Sequence, residues 1–236
     1  KKDITTHLEI HPSLMLGVMG NQIVFPEHNQ LPRDLFSCGQ SKQGVSLYHS
    51  NFHNRIDKMG VVLNYGQMPL VRSRYIKYIN GEKHPYGENP IVAIMCYTGY
   101  NVEDSILFNK ASVDRGMFRT TYFNMYESQE ESTKVSGAEI DSSFKNVENE
   151  NVIRKKPGYD YSQLDDNGLI KENTPLTEKT IVIGKCYNNL EDPSVFIDAS
   201  SGCKKGQMGI VDKSFMTEGE EGFRKAKIRV RDERIP

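Results

Sequence analysis

The sequence predicts an α+β fold that is rich in strands and carries only short helices. Apolar runs such as Ile91–Tyr97 (I-V-A-I-M-C-Y) and Thr180–Lys185 are short and rich in β-branched types, the signature of strands rather than long helices. Phe118–Tyr126 and Lys225–Arg231 alternate polar with apolar residues, which is the period of a pleated strand. Helix signals fall in brief stretches punctuated by proline and glycine.

Taken in order, His11-Pro12-Ser13 opens a short helix over Leu14–Val18 with Ser13 as its cap. Pro32 suits the first turn of a helix running through Phe36 towards Lys42. The spacing of Val45, Tyr48, Phe52 and Ile56 predicts an amphipathic helix. Ile91–Tyr97 follows Pro90, shows no polar face and is expected to be a strand buried on both sides. Gly99 then allows a tight exit into a loop bearing Glu103 and Asp104. Asn109 caps a short helix through Val113 that Gly116 ends. The stretch from Glu127 is expected to be the least ordered, with weak strands or long excursions, and Asp165-Asp166-Asn167-Gly168 marks a turn. Lys204-Lys205-Gly206-Gln207, between Gly202 and Gly209, is a flexible basic loop without the residue order of a P-loop. Last, Lys225, Lys227, Arg229 and Arg231 fall on one side of a strand, with Ala226, Ile228 and Val230 on the other.

At 236 residues the chain is long enough for one large domain or two small ones. Its 37% hydrophobic and 26% charged content excludes a disordered chain. No apolar stretch reaches membrane-spanning length and no signal sequence opens it, so an intracellular setting is expected, with nucleus, cytoplasm and virion left open. Cys38, Cys96, Cys186 and Cys203 contain no C-x-x-C pair, which argues against both a disulfide framework and a zinc ribbon. Both ends read as cut from something longer. Composition divides the chain into residues 1–126, an acidic excursion over 127–174, and a strand-rich return over 175–236.

A net charge of −1 conceals segregation. Leu31–Lys83 holds eight Lys/Arg against three acids, Glu127–Thr174 eleven acids against six bases, and Arg224–Arg234 six bases against two acids. The two basic blocks are where a polyanion would bind. An arginine at a helix start gains nothing from the helix dipole, which leaves Arg33 for an anion, with Lys42 and Gln43 as further donors and Asp34 as a competing partner. The cationic row at Lys227, Arg229 and Arg231 is expected to meet phosphates, because like charges along one face repel unless neutralised. Arg72, Arg74 and Lys77 interleave with Tyr75 and Tyr78, a pattern shared by nucleic-acid surfaces and ordinary strands. Adjacent carboxylates such as Glu103 and Asp104 either hold a divalent cation or are simply solvated. His7 and His11, like His49 and His53, stand four apart, but Leu8 and Ser50 occupy the place of a metalloprotease glutamate, and no zinc is expected.

Several stretches together carry a resemblance: H-L-E-I-H-P-S-L-M-L-G-V at His7–Val18, F-P-E-H-N-Q-L-P-R at Phe25–Arg33, S-K-Q-G at Ser41–Gly44, G-Y-N-V-E-D-S-I at Gly99–Ile106, D-R-G-M-F-R at Asp114–Arg119, D-D-N-G-L-I at Asp165–Ile170, I-V-I-G-K at Ile181–Lys185 and K-I-R-V-R at Lys227–Arg231. In order and spacing the chain resembles the second-largest subunit of multisubunit DNA-directed RNA polymerases of eukaryotes, archaea and large DNA viruses, and is similar in plan to the bacterial β subunit. The resemblance implies a hybrid-binding domain, part of a double-psi β-barrel, that belongs to a nucleotidyltransferase. It implies that Glu103 and Asp104 position the second magnesium through water, a metal shared with the largest subunit, and that Arg33 meets the triphosphate of the incoming NTP. Lys42, Gln43, Lys227, Arg229, Arg231 and Arg234 would then approach the RNA strand of the RNA–DNA hybrid. Implied partners are the largest and other polymerase subunits, template DNA, nascent RNA and NTP, with no membrane. Arg234 stands where the family has lysine. The resemblance assigns no catalytic residue to this stretch, which alone is expected to be inactive; the competing reading is a non-catalytic nucleic-acid-binding or assembly module of a transcription complex.

Overall fold

The computed structural model describes residues 4–135, 137–219 and 222–236. It falls into two units, one of Lys1–Ser50, Val61–Thr120 and Ile235–Pro236, the other of Asn51–Gly60 and Thr121–Arg234. The compositional change expected after residue 126 lies inside a strand, Thr120–Gln129.

The first unit is built from turns and two short helices. Helix α1, Leu31–Ser41, starts where expected, with Pro32 in its first turn and Lys42 as its C-cap. Strand β1, Met59–Leu63, buries Val62 and Leu63. Helix α2, Lys110–Asp114, is capped as expected: the Asn109 side chain accepts the Ser112 N–H at 3.0 Å. Gly116 follows at φ 111°, and a Cβ there would stand 2.5 Å from the Tyr65 ring, so only glycine fits. Of this unit's large apolar residues, only Val62, Leu63 and Ile76 are buried among the described residues.

Three expectations about these residues are corrected. The opening turn is the 3-10 helix Pro12–Met15, and its cap is His11, whose ring accepts the Ser13 N–H, rather than Ser13. The amphipathic helix over Val45–Ile56 does not form; only a 3-10 turn at Phe52–Asn54 does. The carbonyls of Phe52, His53 and Arg55 instead accept hydrogen bonds from the Arg229 guanidinium, and a continuing helix would have used such acceptors itself. Ile91–Tyr97 is neither strand nor buried: Ile91 is 102% and Ile94 98% exposed. Its apolar run reads as interior because interior is the usual fate of such runs, but burial on both sides needs a neighbour to take the backbone N–H and C=O groups, and no described strand does.

The second unit holds the main core and most of the strands: β2 (Thr120–Gln129), β3 (Ser132–Val135), β4 (Ala138–Phe144), β5 (Val152–Ile153), β6 (Ile181–Ile183), β7 (Lys185–Asn188), β8 (Phe196–Asp198), β9 (Ser201–Gly202), β10 (Ile210–Glu218) and β11 (Arg224–Arg234). Strands β2, β11 and β10 lie side by side, β3-β4-β7-β8-β5 form a five-stranded sheet, and β6 pairs with β9. The result is the expected strand-rich α+β architecture. Ala226, Ile228 and Val230 face the core as their alternation predicts, packed with Val211, Ile181, Val182 and Ile183.

The acidic stretch is more tightly built than its composition suggests. Six of its large side chains, Phe144, Val147, Tyr161, Leu164, Leu169 and Ile170, enter this core, while Ile153 and Tyr159 stay exposed. Glu130, 7% exposed, accepts the backbone N–H of Phe144 at 2.8 Å and of Arg224 at 3.0 Å, and pairs with the Arg224 guanidinium. Burial pushes the Glu130 carboxyl up, but the Arg224 side chain and the two N–H donors prevail and hold it below the usual carboxylate range. Burial, with the hydroxyl donating to Asp198 at 2.7 Å, pushes the Tyr161 phenol up to about 12.

Candidate functional site

The loop after Tyr97 is held by its own polar side chains. Asn101 accepts the Tyr97 N–H at 3.1 Å and donates to the Met95 carbonyl at 2.6 Å. Ser105 donates to the Tyr100 carbonyl at 2.8 Å. Asn and Ser suit this work because their short side chains reach nearby backbone. Thr98, Gly99, Glu103 and Asp104 all have positive φ, with Glu103 at 54° and Asp104 at 64°. Two consecutive non-glycine residues in the left-handed region cost about 1–3 kcal/mol each, a cost tolerated where the surroundings impose it and concentrated at functional sites. Both carboxylates are exposed, and among the described residues neither has a hydrogen bond or ion pair. The loop motif therefore divides by role: Asn101 and Ser105 pin the backbone, while Glu103 and Asp104 are presented.

Beside the loop, an open groove of about 1250 Å³ is lined by Tyr65, Ile91, Ile94, Tyr97, Phe108 and Phe118. Phe108 and Phe118 meet edge to face at 6.2 Å. In the same unit, α1 exposes Arg33 near its start, with the guanidinium 6.0 Å from the Phe36 ring. The expected competition from Asp34 does not arise, since no ion pair joins them among the described residues. Lys42 and Gln43 are exposed at the other end of α1, where the Lys42 charge complements the helix dipole. No ion pair links Arg33 to Glu103 or Asp104 among the described residues.

The cationic face of β11 is present, and the protein supplies much of its neutralising charge itself. Arg229 is 2% exposed; it donates to Asp212 at 2.7 Å and to the carbonyls of Phe52, Arg55 and His53, with its guanidinium 4.7 Å from the Phe123 ring. Arg231 donates to the other Asp212 oxygen at 3.2 Å. Asp212 reaches both because the β10–β11 register shifts between Val211 and Lys213, a bulge that re-aims the extra residue across the ladder. Lys225 pairs with Glu127 on β2, whose carboxyl that contact holds low. Lys227 forms no ion pair among the described residues, and the Arg234 guanidinium lies 4.2 Å from the Tyr122 ring with its side chain 56% exposed. Asp212 and Glu127 escape a reading of one strand at a time, because their roles follow from which strands become neighbours. Asn101 and Ser105 were legible as backbone-bonding types inside the motif.

A mixed α+β architecture, a loop whose two adjacent carboxylates are exposed, and a basic strand partly neutralised by Asp212 and Glu127 are the features against which relatives can be compared. The family described as RNA polymerase Rpb2, domain 6, matches residues 19–236, and the chain belongs to that family. It is 38% identical over 240 residues to DNA-directed RNA polymerase II subunit RPB2 of Schizosaccharomyces pombe, covering 98% of this chain and 20% of that protein. To DNA-directed RNA polymerase subunit Rpo2 of Sulfolobus acidocaldarius it is 40% identical, covering 98% and 21%. To DNA-directed RNA polymerase II subunit 2 of Arabidopsis thaliana it is 37% identical over 238 residues, covering 98% and 20%. The chain thus spans about a fifth of the length of these relatives.

Proposed function

We propose that this chain forms part of the active centre of a DNA-directed RNA polymerase, adding ribonucleotides to RNA on a DNA template together with the largest and other subunits. Glu103 and Asp104 manage the magnesium that arrives with the NTP, and Arg33 meets the triphosphate. Lys42, Gln43, Lys227, Arg231 and Arg234 approach the RNA of the hybrid, while Arg229 holds the basic strand in shape from inside. The observation that carries this reading is the loop in which Asn101 and Ser105 bond the backbone and leave two adjacent carboxylates, without a partner among the described residues, in a strained conformation.

The residues fit magnesium in one particular way. Magnesium keeps several waters and takes one or two carboxylates rather than a protein cage. Among the described residues no group of three or more His, Cys, Asp or Glu gathers to hold a metal, so Glu103 and Asp104 suit a water-mediated or shared ion. When bound, the ion neutralises charge on the triphosphate oxygens. Arg33, whose guanidinium has no ion pair among the described residues, supplies a positive charge to the same phosphates.

Single-nucleotide addition by reconstituted polymerase carrying Glu103→Ala and Asp104→Ala tests this. The rate is expected to fall roughly 10–100-fold at low magnesium, the scale of losing an outer metal partner, and to recover partly as magnesium rises, with template binding intact. An unchanged rate across the magnesium titration would assign the chain to binding or assembly alone.

A further inference from the structure

Residues 72–83 (R-S-R-Y-I-K-Y-I-N-G-E-K) present a basic and aromatic surface that the active-centre reading does not use. The surface is built on one inward residue. Ile76 is 6% exposed and starts a 3-10 turn, Ile76–Ile79, closed by Asn80 in the left-handed region at φ 58°. The Gly81 N–H returns to the Ile76 carbonyl at 3.1 Å, and a Cβ on Gly81 would stand 2.8 Å from Ile76 Cγ1, so the turn packs tightly over its anchor. With Ile76 turned in, Lys77 and Tyr78 are turned out, and Tyr78 is 70% exposed.

The outward groups are arranged rather than scattered. The Tyr75 and Tyr78 rings lie 6.0 Å apart at 32°, and the Lys77 ammonium is 5.2 Å from the Tyr78 ring. Tyr75 is fixed from two sides: its hydroxyl donates to Ser13 Oγ at 2.8 Å and its N–H to Ser73 Oγ at 3.2 Å. Arg72, Arg74, Lys77 and Lys83 are all exposed, and none forms an ion pair among the described residues; Glu82 is the one acid in the stretch.

We propose that this platform binds single-stranded nucleic acid, a base stacking at Tyr78 and phosphates lying against Arg74, Lys77 and Lys83. A duplex hides its base faces and would leave the rings unused, and an acidic peptide would use the cations alone. A single strand uses both, because every base offers a π face and every linkage a negative charge. The inference stands on these residues and not on the magnesium role of Glu103 and Asp104.

The test uses assembled polymerase and an RNA of roughly ten nucleotides, within the usual span of one single-strand site, carrying photo-crosslinkable iodouridine. Peptide mapping is expected to find the adduct on Tyr78 or Tyr75, displaced by unlabelled single strand but not by duplex of the same sequence. Tyr78→Ala should abolish the adduct on the segment and Tyr78→Phe should keep it. In the full-length subunit, Arg74→Gln with Lys77→Gln should lower the salt slope of single-strand binding by about 1.4, near 0.7 per lost phosphate contact. Adducts elsewhere with none in residues 72–83, equal competition by duplex or by polyglutamate, or equal loss with Tyr78→Phe would each overturn the proposal. Glu103→Ala should leave the crosslink unchanged, which separates failure here from failure of the active-centre reading.

Discussion

Replacing Asp212 by Asn removes the charge shared by Arg229 and Arg231 at nearly constant volume. Arg229 is 2% exposed and would keep only uncharged partners, the carbonyls of Phe52, His53 and Arg55, the Phe123 ring and the new amide oxygen. Stranding one member of a buried pair costs about 3–5 kcal/mol, and the three carbonyl bonds place Asp212→Asn at the lower end, about 3 kcal/mol. Glu127→Gln is the internal control, because its pair with Lys225 has side chains 26% and 32% exposed and such half-exposed pairs contribute about 0–1 kcal/mol. Urea titration separates the two. With a slope of about 2 kcal/mol per molar, Asp212→Asn should lower the midpoint by roughly 1–2 M and Glu127→Gln by less than about 0.5 M. Arg229→Met combined with Asp212→Leu should cost less than the sum of the two single changes, since neither charge is left stranded, although the carbonyls of Phe52, His53 and Arg55 lose their donor. Equal shifts from Asp212→Asn and Glu127→Gln, or a double variant whose losses simply add, would refute the claim that Asp212 is the neutralising centre of this face.

Two further outcomes follow from the same structure. Glu130 has a carboxyl held below its ordinary value, so its contribution to stability is present above the unfolded-state pKa and is lost as pH falls through the lower folded value; Glu130→Gln should be destabilised at about pH 7 and converge on the parent only as pH falls through that lowered value, as followed by circular dichroism, whereas a constant difference across pH would contradict the linkage. Ile91 and Ile94, both nearly fully exposed, should make the isolated chain bind a hydrophobic dye and self-associate, and Ile91→Ser with Ile94→Ser should reduce both in fluorescence and light scattering without lowering stability; a loss of stability would mean that these side chains pack after all.

Local rules were legible wherever the determinant lies within a few residues. The Pro32 start of α1, the Asn109 cap of α2, the stop at Gly116 and the alternation along β11 each rest on one or two dihedrals or on the pleat itself. Failures came where local pattern met a distant demand. Val45–Ile56 has helical spacing, yet the carbonyls of Phe52, His53 and Arg55 are taken by an arginine far along the chain. Ile91–Tyr97 has a buried strand's composition, yet no described strand stands beside it. The acidic stretch looked poorly ordered because average composition hides the few large residues that reach the core.

The amino-acid order by itself determined the strand-rich class, the start of α1 and the cap and stop of α2, the family and the presence of a paired-carboxylate loop, because these depend on residue type and short spacing. Tertiary structure alone decided that Glu103 and Asp104 stand exposed on a strained backbone, without a partner among the described residues, while Asn101 and Ser105 hold it. It also decided that Arg229 is sealed against Asp212 while, among the described residues, Lys227 has no ion pair and Arg234 pairs only with the half-exposed Asp232 at 3.9 Å. The reason is that a charge is assigned its partner by whichever strand folds alongside it, and that neighbour is set by the packing of the whole unit rather than by adjacent residues.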